Sequence, residues 1–141
     1  MNLLTFVVRW GHIPDLPQEE GQEYLDSMQA HNLAPILLFS PTRTSNRMNY
    51  IASFGGGFIY CVARKGVTGT KTNFSEGLAK YLKICRECTS LPLALGFGIQ
   101  QKSDIDFLKG KVDIAVIGSQ TIRIMEEKGV AAVNNFIRDL Y

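Results

Sequence analysis

The sequence predicts an α/β chain of consecutive strand–helix units, the kind whose parallel strands close into a phosphate-binding (β/α) barrel. Three observations predict it. Short apolar runs alternate with segments of helical period, which calls for parallel strands joined by crossover helices. The runs are continuous rather than alternating, as in Phe58-Ile59-Tyr60-Cys61-Val62-Ala63, which suits strands covered on both faces. Several end in glycine, at the strand ends where such folds hold ligands. The 141 residues suffice for one domain with its own core. A closed barrel of about 250 residues needs eight units, however, and about four and a half are present. The expectation is a partial barrel with exposed strand edges that self-associates unless a complementary half covers them.

The elements follow in order. Pro17 suits a first helical position, Glu19 and Glu20 favour a helix N-terminus, and Tyr24, Leu25 and Met28 share an apolar face before Asn32. Residues 33 to 39 read as one buried strand, with Pro35 near its beginning. Thr44 or Ser45 caps a helix carrying Met48, Ile51 and Ala52, which Gly55-Gly56-Gly57 stops. A second strand spans 58–63, and a Gly- and Thr-rich loop of functional length follows from Arg64 to Phe74. Leu78, Tyr81, Leu82 and Cys85 keep the i, i+3, i+4, i+7 spacing of a core-facing helix. Leu91 to Leu95 is the third strand; Ser103 and Asp106 resemble a capping box for a short helix with Ile105, Phe107 and Leu108. The last strand is 112–117. Ile122 and Met125 then mark a short extra helix ended by Gly129, and Val133, Phe136, Ile137 and Leu140 trace a final one.

Composition narrows the function. A net charge of +2 from 15 basic and 13 acidic residues, without a basic block, gives no footprint for nucleic acid or an anionic membrane. The apolar opening ends at Arg9 and lacks a basic lead, so neither a membrane span nor a signal segment is expected, and the protein is assigned to the cytoplasm. Three cysteines argue against a disulfide framework, and the Cys85–Cys88 C-x-x-C closes a helix rather than opening one, so it reads as structural. His12 and His31 lack partners at ligand spacing and read as surface or packing residues; no metal site is expected.

Chemistry should lie beyond the carboxyl ends of the strands. Gly66-Val67-Thr68-Gly69, Gly96-Phe97-Gly98 and Gly118-Ser119 occupy three such ends. Glycine lets backbone N–H groups approach an anion, and a helix N-terminus adds a positive dipole. Barrels often build a phosphate site from the loops after the last two strands and a short extra helix, the arrangement between Gly96 and Met125. Tyr60, Phe97 and Val116 supply apolar walls nearby. A small phosphorylated ligand with a flat apolar part fits this set.

Pro14-Asp15-Leu16-Pro17-Gln18-Glu19-Glu20, Gly57-Phe58-Ile59-Tyr60, Arg64-Lys65-Gly66-Val67-Thr68-Gly69, Gly96-Phe97-Gly98-Ile99 and Ile117-Gly118-Ser119 stand in the order and spacing of the tryptophan synthase α chain. From about residue 13 to the C-terminus the sequence resembles the C-terminal half of that family, a TIM barrel, with residues 1–12 divergent. The resemblance implies a lyase that cleaves indole-3-glycerol phosphate to indole and glyceraldehyde 3-phosphate. It also implies a β-chain partner, which carries the pyridoxal phosphate; the α chain itself uses no cofactor. By position, Gly69, Gly98, Gly118 and Ser119 match residues that hold the substrate phosphate, and Tyr60, Phe97 and Val116 match the indole pocket. Arg64, Gly66 and Thr68 match the lid loop, where Thr68 steadies a catalytic aspartate.

Departures from the family pattern carry weight too. Ala63 and Lys65 replace small hydroxyl residues, and Arg9-Trp10-Gly11-His12 stands where an apolar strand is expected. The two catalytic carboxylates of the family lie upstream of this sequence. Asp15 is the one acid at a plausible strand end, and it matches a structural residue, so no catalytic residue is assigned. Two functions stay open: an α-chain half needing a complementary N-terminal half, or a noncatalytic fragment that binds phosphate or the β chain.

Overall fold

The computed structural model describes residues 8–13, 21–63, 76–96 and 98–141. Four strands, β3 (Leu37–Phe39), β4 (Ile59–Val62), β5 (Leu93–Gly96) and β6 (Ile114–Val116), pair in parallel and in sequence order. Helices α2 (Ser45–Ala52), α3 (Glu76–Glu87) and α4 (Lys102–Leu108) connect them, and α5 (Ser119–Lys128) and α6 (Val130–Leu140) follow. Ahead of this sheet, β1 (Trp10–Gly11) pairs in parallel with β2 (Ala34–Pro35) across α1 (Gln22–Ala30). Successive parallel strands joined by helices are the repeating unit of a (β/α) barrel. Among the described residues β6 pairs with β5 alone, so its outer edge is free, and Ile114 there is 38% exposed.

The register separates two faces. Phe39, Ile59, Cys61, Leu93 and Leu95 alternate onto the helix side and are fully buried against Met48 and Ile51 of α2 and Leu78, Leu82 and Cys85 of α3. Truncating one of these large side chains to alanine would cost about 2–5 kcal/mol through lost transfer energy and the cavity left behind. Strand alternation puts Leu38, Tyr60, Val62, Ala94, Gly96 and Val116 on the opposite face, which lines the interior of a barrel.

Several expectations meet the structure directly. The predicted core face of α3 is buried at all four positions, and Thr44, not Ser45, caps α2 by accepting from Arg47 N at 3.3 Å. The run 33–39 is two short strands rather than one. Pro35 has no N–H to donate, and at Ile36 the chain passes from pairing with β1, where Ile36 N donates to Gly11 O at 2.8 Å, to pairing with β4. The box that opens α4 is Gln101 with Asp104, not Ser103 with Asp106. Asp104 is buried and accepts from the N–H groups of Gln100 and Gln101 at 2.9 and 3.1 Å, whereas Asp106 is exposed and pairs with Lys109 at 2.6 Å. In α5 the buried residue is Ile124; Ile122 and Met125 are exposed. Pro17, Glu19 and Glu20 lie outside the described residues. No helix among the described residues is long and apolar enough to cross a membrane.

Candidate anion-binding site and aromatic wall

The carboxyl ends of β5 and β6 lead into two helix N-termini with opposite provision. That of α4 carries a buried carboxylate of its own, Asp104, which accepts from the N–H groups of Gln100 and Gln101 just ahead of the helix. That of α5 has Gly118 as its N-cap and no side-chain cap. Thr121 and Ile122 N–H turn back to Gly118 O at 2.9 and 3.2 Å. The N–H groups of Ser119 and Gln120, like the first ones of any helix, have no intrahelical acceptor. A Cβ added at Gly118 would meet nothing within 4 Å among the described residues. Exposed donors at the positive end of a ten-residue helix are suited to an anion. Gly98, just beyond β5, has φ 82°, a left-handed conformation that glycine adopts without strain.

Tyr60 and Val116 lie on the same face of the sheet, on either side of β5, because Val116 is in register with Gly96 and Tyr60 with Ala94. Gly96 is what lets Tyr60 lie there. A Cβ at residue 96 would stand 2.6 Å from Tyr60 Cζ and still closer to its hydroxyl oxygen, so the ring occupies the space of the missing side chain. Burial pushes the Tyr60 phenol above its ordinary value of 10.0, because the anion is poorly solvated there. On its other side the ring stacks on His12, with centroids 5.9 Å apart and planes at 23°. Nearby, the exposed ring of Trp10 meets Phe58 edge to face at 6.4 Å.

Of the residues expected in the site, the structure therefore brings Tyr60 and Val116 to one face, and sets Gly98, Gly118 and Ser119 at the same strand ends. Gly69, Phe97, Arg64, Gly66 and Thr68 lie outside the described residues, as does Asp15. Two residues of the wall escaped sequence reasoning. Gly96 was visible only as part of a glycine-rich motif, and His12 read as isolated because its partners are 24 and 48 residues away in sequence. The one available signal was its spacing of two from Trp10, which sets both rings on one face of an extended segment.

Other reactive groups sit elsewhere. Cys61 and Cys85 are buried free thiols on the helix side of the sheet. A hydrogen bond with Cys85 and desolvation hold the Cys61 thiol well above its usual range, so it is inert packing. No group of three or more His, Cys, Asp or Glu among the described residues could hold a metal ion. An open groove of about 480 Å³ runs beside the free edge of β6, lined by Ile105, Ile114, Ala115, Ile117, Ile137 and Leu140. It contains none of the site residues.

Sequential parallel strands, helices packed on one face, and an uncapped helix terminus beside an aromatic wall at the strand ends define the class: part of a (β/α) barrel, with an anion-competent terminus where barrels hold phosphate. The family model for the tryptophan synthase alpha chain matches residues 10–139. Alpha chains from Desulforapulum autotrophicum and Syntrophotalea carbinolica are each 56% identical over 128 residues, covering 91% of this chain and 51% of those proteins. A mutant tryptophan synthase alpha subunit from Pyrococcus furiosus superposes with a TM-score of 0.81 at 21% identity, covering 94% of this chain and 55% of that one. The chain belongs to the tryptophan synthase alpha chain family. It spans about half the length of the curated relatives it matches, and the stretch it covers is the C-terminal half of the barrel.

Proposed function

We propose that this chain supplies the phosphate-holding and indole-holding side of a tryptophan synthase α subunit. The reaction is the aldol cleavage of indole-3-glycerol phosphate to indole and glyceraldehyde 3-phosphate. In this reading the substrate phosphate sits on the N-terminus of α5 among Gly98, Gly118 and Ser119, with Gly69 reaching in from the loop after β4. The indole lies against Tyr60, Phe97 and Val116, and the loop bearing Arg64, Gly66 and Thr68 closes over it. The observation that carries the reading is the contrast between the two termini: a buried carboxylate, Asp104, stands at the start of α4, and α5 has neither a side-chain cap nor an acidic residue in its first turn.

Cleavage moves protons to and from the substrate and needs positioned acid–base groups. The paired carboxylates of the family are upstream of this sequence, so the reading assigns binding to this chain and proton transfer to a complementary N-terminal half. That half also pairs with the free edge of β6. Each acid–base group is worth a factor of about 10² to 10⁴, which puts turnover by this chain alone below detection. The chain needs no cofactor of its own. Pyridoxal phosphate belongs to a partner β chain, to which the indole is passed.

Gly118→Asp tests the phosphate assignment with two effects of opposite sign. A carboxylate at the cap accepts from the helix N–H groups and complements the dipole, stabilising the chain by about 0.3–1 kcal/mol. The same carboxylate fills the anion site and repels phosphate. Titration with inorganic phosphate, followed by amide NMR, should shift Ser119 and Gln120 in the parent chain and leave them unmoved in the variant. Shifts confined to other regions, or equal affinity in both proteins, reject the assignment. Indole release is then measured with and without the upstream half of a related α chain. Release that appears on mixing supports the enzymatic reading. Phosphate binding without release on mixing favours the noncatalytic one.

A further inference from the structure

We propose that the groove between α3 and the loop joining α4 to β6, at the amino ends of the strands, is a second anion site, which takes a small dicarboxylate with a flat apolar body. It lies at the opposite end of the sheet from the N-terminus of α5, and the inference stands apart from the substrate reading above. Barrels carry out their chemistry at the carboxyl ends of the strands, so a ligand held here is not the substrate.

The groove holds about 490 Å³, within the range of small-molecule sites, roughly 300–1,000 Å³. Leu82 of α3 and Val112 of the loop supply its apolar part, and Lys83, Arg86, Lys111 and Asp113 its charges. Arg86 is already spent, since one arm of the guanidinium donates to Asp113 and the other to Leu91 O at 3.0 Å. Lys111 Nζ donates to Phe107 O and stands 4.5 Å from the centroid of the Phe107 ring. Those contacts place the ammonium without neutralising it. Lys83, on the facing wall, is exposed and has no hydrogen bond or ion pair among the described residues. Each wall thus brings one cation without a counter-charge, and each ammonium keeps donors to spare.

The main chain adds a further donor. The N–H groups of Lys109, Lys111, Val112 and Asp113 reach carbonyls at 3.1, 2.9, 3.3 and 2.9 Å, whereas that of Gly110 finds no acceptor among the described residues. Gly110 lines the groove with φ 73°, and a Cβ there would meet nothing within 4 Å among the described residues. A backbone N–H without a Cβ beside it is open to a close-approaching anion. A monoanion offsets one of the two surplus charges. A dicarboxylate offsets both, one carboxylate to each wall, while its body covers Leu82 and Val112.

Titration with benzene-1,3-dicarboxylate, followed by amide NMR, should shift Gly110, Lys111 and Lys83. Benzoate, the same ring with one charge fewer, should bind about two- to fivefold more weakly, the worth of one exposed ion pair. Lys83→Gln has no contact to lose and should bring the preference for the dicarboxylate to about one. Lys111→Gln should do the same, with its urea midpoint recorded to separate the lost charge from the lost Phe107 contact. Lys128→Gln removes an equal charge at the far end of α5 and should leave the preference intact. Saturation without shifts at Gly110 and Lys111, equal affinity for the two acids, or an equal loss in Lys128→Gln overturns the site. Phosphate binding at α5 is read at Ser119 and Gln120, so the failure of either site is scored without the other.

Discussion

Replacing Gly96 with alanine puts one methyl group where the Tyr60 ring already lies. The backbone tolerates the change, since residue 96 is ordinary strand with no left-handed φ, and the whole effect is steric. The new Cβ would stand 2.6 Å from Tyr60 Cζ, whereas carbon atoms rest at about 3.5–4.0 Å. The ring must therefore withdraw by roughly 1 Å at that carbon and by more at the hydroxyl. A rigid ring can do this only by turning about its own side-chain torsions, which breaks the stack on His12 and uncovers Ala94, now fully buried. Overpacking of this kind costs about 1–3 kcal/mol. With a urea dependence of about 2 kcal/mol per molar, the unfolding midpoint falls by roughly 0.5–1.5 M. Urea titration followed by circular dichroism reads the midpoint, and the aromatic ¹H spectrum reports loss of the stacked geometry. The decisive comparison uses a Tyr60→Ala background, which removes the three atoms nearest the added methyl, so the penalty should vanish. A neutral Gly96→Ala, or an equal penalty with Tyr60 removed, refutes the reasoning.

Asp113 ties the starts of β5 and β6 together by accepting from Leu93 N at 2.7 Å and from Arg86, which also donates to Leu91 O at 3.0 Å. Asp113→Ala leaves the Leu93 N–H without its acceptor and should cost about 1–3 kcal/mol in urea unfolding, with Asp113→Asn in between. The Leu93 N–H first, and the Arg86 guanidinium second, hold the Asp113 carboxyl below its ordinary 3.8. A depressed folded-state value adds stability that is present above 3.8 and lost as pH falls below it. Midpoints recorded down an acid series should therefore decline less steeply for Asp113→Asn than for the parent chain. Thr44→Ala removes the cap on Arg47 N and should cost about 0.5–2 kcal/mol, whereas Thr44→Ser should be close to neutral; equal loss in both would show that the hydroxyl is not the stabilising group.

Much of the fold was legible in the sequence because its signals are local and periodic. The spacing of Leu78, Tyr81, Leu82 and Cys85 names the buried face of α3, since four side chains at that spacing can only share one side of a helix. Continuous apolar runs ending in glycine identified parallel strands and the end at which a ligand site forms. The misread details share one cause, which is that a cap or a strand boundary depends on which partner a group reaches. Asp104 and Asp106 are equivalent as residues near a helix start, and only the path of the chain from Ile99 to Gln101 decides that Asp104 turns inward to cap it. Residues 33 to 39 look like one strand until the positions of β1 and β4 divide them at Ile36.

The site divides along the same line. By itself the sequence determined the family, the glycine-rich strand ends and the aromatic residues near them, because those are properties of residue type and spacing. Only the tertiary structure decided that a buried carboxylate stands at the start of α4 while α5 has no side-chain cap, and that Gly96 is the seat of the Tyr60 ring. It alone decided that His12, which read as a surface or packing residue, stands against that ring with its tautomer set by a carbonyl 24 residues away. The physical reason is that a hydrogen bond or a ring contact is a relation between two groups in space. Sequence supplies the groups, and strand register supplies the distance.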